Sequence, residues 1–152
     1  MGEITATVDV EVPVRTAYDQ WTQFEEFPDF MDGVQSVHQI DDTHLHWEVE
    51  IAGVRREWDA EITEQLPDQR IAWKATDGTA NAGVVTFHRL DDDKSRVALQ
   101  LDVETEGLVE KIGDKLGFIE RRAGGDLERF KELIEARGTE SGAWRGRVEP
   151  PT

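Results

Sequence analysis

Cysteine is absent from the 152-residue chain, which excludes disulfides, thiolate metal sites and cysteine nucleophiles together. Basic charge is scarce: 17 Lys and Arg stand against 33 Asp and Glu, a formal net charge of -16. Most of such a surface would repel a nucleic-acid backbone or an anionic bilayer, so no nucleic-acid partner is expected. Ordinary solubility of an acidic bacterial protein accounts for the charge more simply than a salt-rich cytoplasm. No apolar run approaches the ~20 residues that cross a bilayer, and MGEITATVDV lacks the charged-then-apolar design of a secretory leader. MGEITA fits the start of a myristoylation signal, but Ala6 stands where Ser or Thr is required. These absences predict a soluble, cytoplasmic protein with no stable membrane insertion. GxSxG, HExxH, GxGxxG and a glycine-rich phosphate loop are missing too. Hydrolase, protease, kinase and dehydrogenase readings therefore lack support, and no cofactor is expected.

What is present is periodicity. Ile4, Ala6, Val8 and Val10 alternate with polar residues, the mark of a half-buried strand. Pro13 suits the first turn of a helix, along which Val14, Ala17, Trp21 and Phe24 share one face. Phe27 precedes Pro28 and is pushed out of helical geometry, which predicts a second short helix carrying Phe30 and Met31. Six strands follow, at roughly Val34–Ile40, Leu45–Ile51, Val54–Ile62, Arg70–Ala75, Gly83–Leu90 and Val97–Val103, with turn chemistry in every gap. Their short connections require an antiparallel meander. Leu108, Ile112, Leu116, Ile119, Ala123, Leu127, Phe130 and Ile134 then form one stripe of a long helix. Length alone favours one domain, placed at 1–137, with 138–152 read as a flexible tail. The element order gives an α+β design, a seven-stranded antiparallel sheet with its helices on one face.

That layout, the segment WTQFEEFPDFMDGVQSV, the run HWEVEIAGVRREWDAEITEQLPDQRIAWKATDG and the late GGDLERFKELIE resemble the START-like, helix-grip (SRPBCC) superfamily. The likeness is greatest to its bacterial polyketide cyclase/dehydrase and coenzyme Q-binding branch, and it covers roughly Glu3 to Arg137. It implies a curved sheet gripping the C-terminal helix over a hydrophobic cavity. The superfamily holds aromatase/cyclases, lipid carriers, hormone receptors and co-chaperones, so the resemblance specifies fold more closely than activity.

The residues allow such a cavity. Trp47, Trp58 and Trp73 fall on three successive strands in the apolar register. Each is either plain core or a cavity wall, but a buried indole N–H needs a partner, and a core served only by packing would use Phe or Leu. With Trp21, Phe24 and Phe30 from the opening segment, Val85 or its opposite face on the sixth strand, Phe87, Leu101, Leu116 and Ile119, they make up the expected ligand-binding set. Arg56 is the one charge in the apolar register of its strand. It either turns inward to meet a polar ligand or snorkels to water near the strand end. With His38 and His88 it forms the candidate catalytic set for enolisation and loss of water. His44, His46 and Glu48 lie at spacings of two on a polar face, where cross-strand charge pairing is the expected role and no metal site is assigned. Gly113, Gly117, Gly124 and Gly125 are costly in a helix interior. They point either to a gate formed by Leu108–Phe118 or to a separate short helix or loop there.

The expected partner is a hydrophobic small molecule, bound by a monomer or homodimer. Function then divides between a cofactor-independent polyketide cyclase/dehydrase and a carrier that shields a quinone or lipid unchanged. A third reading, an interaction module such as a co-chaperone or toxin-like partner, would show itself by exposed apolar surface at Phe27, Phe30 and Trp144.

Overall fold

The computed structural model describes residues 2–31, 33–51, 53–76, 81–103 and 115–148, with the side chains of 2, 3, 51, 54, 81, 103 and 115–119 left aside. The chain runs β1 (Gly2–Val10), α1 (Val14–Trp21), a 3-10 helix (Phe24–Asp29), β2 (Val34–Gln39), β3 (His44–Ile51), β4 (Val54–Leu66), β5 (Arg70–Ala75), β6 (Asn81–Asp91), β7 (Lys94–Val103) and α2 (Lys115–Arg137). All strands join one sheet in the order β1-β7-β6-β5-β4-β3-β2. Six follow as an antiparallel meander, and β1 closes the far edge by pairing with β7, Ile4 opposite Leu101 and Val8 opposite Val97. The result is the helix-grip α+β architecture, a curled antiparallel sheet with the short helices after β1 and the long helix at the C-terminal end.

The curl has a visible origin in β4, which is 13 residues long. Its first half pairs with β3 from Val54 to Glu61. Its second half pairs with β5, with a shift of register between Ile62 and Glu64. A bulge bends its strand and strengthens the local twist, so one strand serves two directions of the sheet. Sequence periodicity ends this strand at Ile62, because the extra residue breaks the alternation there. Pairing with β5 carries it on to Leu66.

The opening aromatic segment differs from expectation in one respect. Pro28 lies inside the 3-10 helix, which spans Phe24–Asp29, and Phe30 and Met31 follow it. A 3-10 helix bonds i to i+3 and is used in short pieces, so one that ends at Asp29 carries Pro28 without the i-4 bond whose loss breaks an α-helix interior. No separate helix therefore forms around Phe30. The glycine pair Gly124 and Gly125 is carried within the continuous helix α2, and the proposed gate residues 108–114 lie outside the described part. The sixth strand resolves its ambiguous faces: Val85 and Phe87 are buried, whereas His88 is exposed.

Beyond α2, residues 138–148 lie against the body. The Trp144 N–H donates to Thr22 Oγ1 at 3.1 Å and the Ser141 N–H to Gln20 Oε1 at 2.9 Å. Val148 and Gln65 exchange backbone hydrogen bonds of 2.7 and 2.8 Å. Arg145 donates to Asp19 Oδ1 at 2.5 Å and to Asp68 Oδ2 at 2.9 Å, and its guanidinium lies 5.7 Å from the centre of the Tyr18 ring. Asp19 is only 1 % exposed. Burial pushes its carboxyl above the ordinary carboxylate value, against the opposing pull of Arg145.

Candidate functional site, an apolar cavity with a charged rim

Between the sheet and the helices lies a cavity of about 230 Å³. Its sheet wall comes from alternate, same-face positions: Leu45, Trp47 and Val49 of β3, Trp58 and Ile62 of β4, Ile71 and Trp73 of β5, Leu99 and Leu101 of β7. Period-two placement explains how these four strands contribute apolar side chains to one surface. The opposite wall comes from Trp21, Phe24 and Phe27 at one end and from Ala123 and Leu127 of α2 above.

Trp47 and Trp58 face each other across the β3–β4 ladder. Their rings stack, with centres 5.9 Å apart and planes within 10° of parallel. Phe27 tilts against Trp47 with 5.5 Å between ring centres. The Trp47 indole Nε1 is buried and has no hydrogen-bond partner among the described residues, an unmet donor of the sort that costs about 1–3 kcal/mol.

Charge enters from α2. Arg122 and Asp126 are the ionisable groups lining the cavity among the described residues. Arg122 lies directly over Gly33: a Cβ at that position would come within 1.9 Å of the arginine Nη2, and Gly33 has φ +89. Both the close approach and the left-handed backbone require glycine there. The Gly33 carbonyl accepts the Glu50 N–H at 2.7 Å, tying the loop to β3. One turn along α2, Arg129 holds Asp126 and also donates from Nε to the Phe30 carbonyl at 2.9 Å. Arg122, Asp126 and Arg129 follow the i, i+4, i+7 spacing of one helix side and clasp the loop that precedes β2.

Of the expected ligand-contact residues, Trp21, Phe24, Trp47, Trp58, Trp73 and Leu101 line the cavity. Phe30, Val85 and Phe87 are buried beside it instead. Phe87 packs edge-on against Tyr18 and Trp21, and Phe30 packs on Phe130. The side chains of Leu116 and Ile119 lie outside the described part. The candidate catalytic set is not brought together. Arg56 keeps the register of Trp58 and stands opposite Val49, but it is exposed, since at this end of the sheet the long side chain reaches water. His38 is exposed on β2, and His88 is exposed and bonded to Thr86 Oγ1 at 3.0 Å. None of the three lines the cavity. Arg122, Asp126 and Gly33 were not singled out from sequence. Their signal was the position of Arg122 and Asp126 immediately before the stripe residues Ala123 and Leu127, on the flank of the apolar face.

The polar outer face shows the charge pairing expected of it. His46 Nδ1 lies 2.7 Å from Asp59 and its Nε2 3.2 Å from Glu57, while Glu48 accepts from Ser36 at 2.8 Å and from Arg55 at 3.1 Å. His46, Glu48 and Glu57 bring potential ligand atoms within 4.8 Å of one another, yet each is already engaged in this network. The hydrogen bond that Asp59 accepts from the His46 ring leads the causes that raise the His46 pKa above its ordinary value. Among the described residues, no helix is long and apolar enough to cross a membrane.

The family model described as polyketide cyclase / dehydrase and lipid transport matches residues 10–132. An uncharacterized 17.2 kDa protein of Streptomyces lincolnensis is 56% identical over 149 residues, which is 97% of this chain and 99% of that protein. Among solved structures, the Zhui aromatase/cyclase of Streptomyces sp. R1128 superposes with a TM-score of 0.75 at 17% identity, covering 94% of this chain and 99% of its own. A START superfamily protein of Mycobacterium smegmatis gives a TM-score of 0.69 at 19% identity, covering 89% and 95%. At these identities the two structural likenesses concern the fold.

Proposed function

We propose that this chain, which belongs to the polyketide cyclase/dehydrase and lipid transport family, binds a hydrophobic small molecule of the polyketide, quinone or lipid kind in the cavity under α2. The observation that carries this reading is the hollow itself, walled by apolar side chains with the stacked Trp47–Trp58 pair on one side. A core built for stability alone fills such space, because interiors pack as densely as organic crystals. Burying ~300 Å² of apolar ligand surface yields roughly 7 kcal/mol gross at 25 cal/mol per Å². Association costs of about 4 kcal/mol or more leave useful affinity.

Shielding a ligand fits the described side chains better than acid-base chemistry, since Arg56, His38 and His88 are all exposed and none lines the cavity. Cyclisation and dehydration of a poly-β-keto chain is the second reading, favoured by the likeness to an aromatase/cyclase and by the presence of Arg122 and Asp126 in the wall. The interaction-module reading loses its expected sign, as Phe27 and Phe30 are 3 % and 2 % exposed. Mass spectrometry of organic extracts from the purified protein tests the proposal, together with tryptophan-fluorescence titration against naphthalenes, short quinones and fatty acids. A retained apolar molecule or saturable quenching is expected. Clean extracts combined with no quenching by any of the panel would remove the binding reading.

A further inference from the structure

We infer that the outer face of the sheet, where β2, β3 and β4 adjoin, binds one divalent transition-metal ion of the zinc kind, ligated by His46, Glu57, Glu48 and His38. The site is separate from the cavity and stands without it. Two antiparallel pairings set its residues in adjoining rows. In one row His38 of β2 is directly opposite His46 of β3, which is itself opposite Asp59 of β4. In the next, Glu48 lies between Ser36 on one side and Glu57 on the other. Residues opposed in this way carry Cβ atoms about 4.5–5.5 Å apart, so two imidazoles and two carboxylates share one patch of a rigid sheet. Potential ligand atoms of His46, Glu48 and Glu57 already lie within 4.8 Å of one another.

The local charge favours an ion over side-chain pairing alone. Glu48 and Glu57 are like charges directly across a ladder, an arrangement that is destabilising by itself. The paired positions of β3 and β4 hold Glu48, Glu50, Glu57, Asp59 and Glu61 against the guanidinium of Arg55. A divalent cation turns that repulsion into attraction. Both nitrogens of His46 face carboxylates, Nδ1 at 2.7 Å from Asp59 and Nε2 at 3.2 Å from Glu57. Asp59 keeps the Nδ1 proton and orients the ring, as a carboxylate does behind a ligating histidine. The ion takes the place of the Nε2 proton, which leaves to solvent, and Glu57 passes from that proton to the ion. Ligand atoms about 2.0–2.2 Å from a tetrahedral zinc stand roughly 3.3–3.5 Å apart, close to the spacing of Nε2 and Glu57. Ser36 and Arg55 hold Glu48, whose carboxylate has about four acceptor sites and so keeps lone pairs for the ion. The exposed His38 ring joins by side-chain rotation. Two neutral imidazoles and two carboxylates balance a divalent charge, and nitrogen ligands select zinc and its neighbours over magnesium and calcium. Val37, Trp47 and Trp58 form the row between, on the opposite face of the sheet. The ion therefore braces the cavity wall from outside.

The test is calorimetric titration of the full chain with zinc chloride near neutral pH, in a buffer that does not bind metal. The unaltered protein should take up one zinc ion per chain, and excess magnesium should not displace it. His46→Gln should weaken zinc binding about a hundredfold and His38→Gln about tenfold, losses of the size that a defective metal shell produces. His44→Gln, which alters a neighbour bonded to Asp41, should leave zinc affinity unchanged. Zinc should also raise the thermal midpoint of the unaltered protein, as any ligand of the native state does, and should raise that of His46→Gln far less. The magnesium competition uses the unaltered chain and so decides the matter even where a variant fails to fold. No zinc uptake, displacement of zinc by magnesium, or affinity undiminished in either His46→Gln or His38→Gln overturns the inference. Each of these outcomes leaves the cavity reading as it stands.

Discussion

The two ends of the interior are built from the same sheet and kinds of residue, yet one is solid and the other hollow. At the solid end Tyr18, Trp21, Phe30, Phe87 and Phe130 are each at most 4 % exposed. Trp21 and Phe130 meet edge-on with 5.0 Å between ring centres. At the hollow end Trp47, Trp58 and Trp73 are only half-buried and face open volume. The difference lies in what opposes the strands. Across from β6 and β7, α1 and Phe130 of α2 supply large rings. On the cavity side α2 presents Ala123, Leu127 and the charged Arg122 and Asp126, with no aromatic ring among them. Residue volume on the helix, more than hydrophobicity on the sheet, decides where this fold leaves room.

The contrast can be broken at either end. Phe130→Ala deletes a fully buried ring at the solid end and should cost about 3–5 kcal/mol, read by urea denaturation. Trp58→Ala removes a larger ring from the hollow end but should cost only about 1–2 kcal/mol, the loss of one stacked pair and partial burial. Ligand quenching should suffer far more in the second variant than in the first. If both variants lose stability equally, the hollow end is ordinary core. A finer probe is Gly83→Ala, whose Cβ would meet Trp73 Cζ2 at 2.5 Å and Leu101 Cδ2 at 3.0 Å. Both neighbours line the cavity and can yield into it, so the expected cost is about 1 kcal/mol, with ligand affinity reduced about tenfold. Affinity unchanged in that variant would show that Trp73 does not border the ligand.

The smallest effect concerns the outer face of the hollow end. Asp59, followed by Glu57, raises the His46 pKa, so the protonated ring is favoured by the fold. Its contribution is complete below the unfolded value of about 6.5 and is lost as pH rises through the higher folded value. His46→Gln should therefore narrow the difference in urea midpoint between pH 5.5 and pH 8.5, leaving ligand affinity untouched. The group is partly solvated and the change will be slight.

Sequence reading reached the architecture because β-strands with one buried face alternate strictly, and Leu45, Trp47 and Val49 or Val97 and Leu99 display that alternation plainly. It reached the tryptophans of the cavity wall for the same reason. It misplaced the helix around Phe30 because a 3-10 turn leaves no periodic trace across six residues and Pro28 reads as a stop. Arg56 drew attention through its register, but register gives direction and not depth, and a residue three positions past a turn can point inward and still be wet. Arg122 escaped notice because an arginine beside another arginine on a charged helix resembles solvated surface. Only the tertiary approach of Gly33 distinguishes it.

Arg145 gives the extreme C-terminal stretch a weight that its composition conceals. The match to the family ends at residue 132, and a protein shortened there or at Arg137 would forfeit the nearer of the two arginines paired with Asp19, keeping Arg15 at 3.6 Å. The shortened molecule should show a lower urea midpoint at neutral pH than the full chain, because a buried ion pair that loses one partner is destabilising. Purification tags belong at the other terminus.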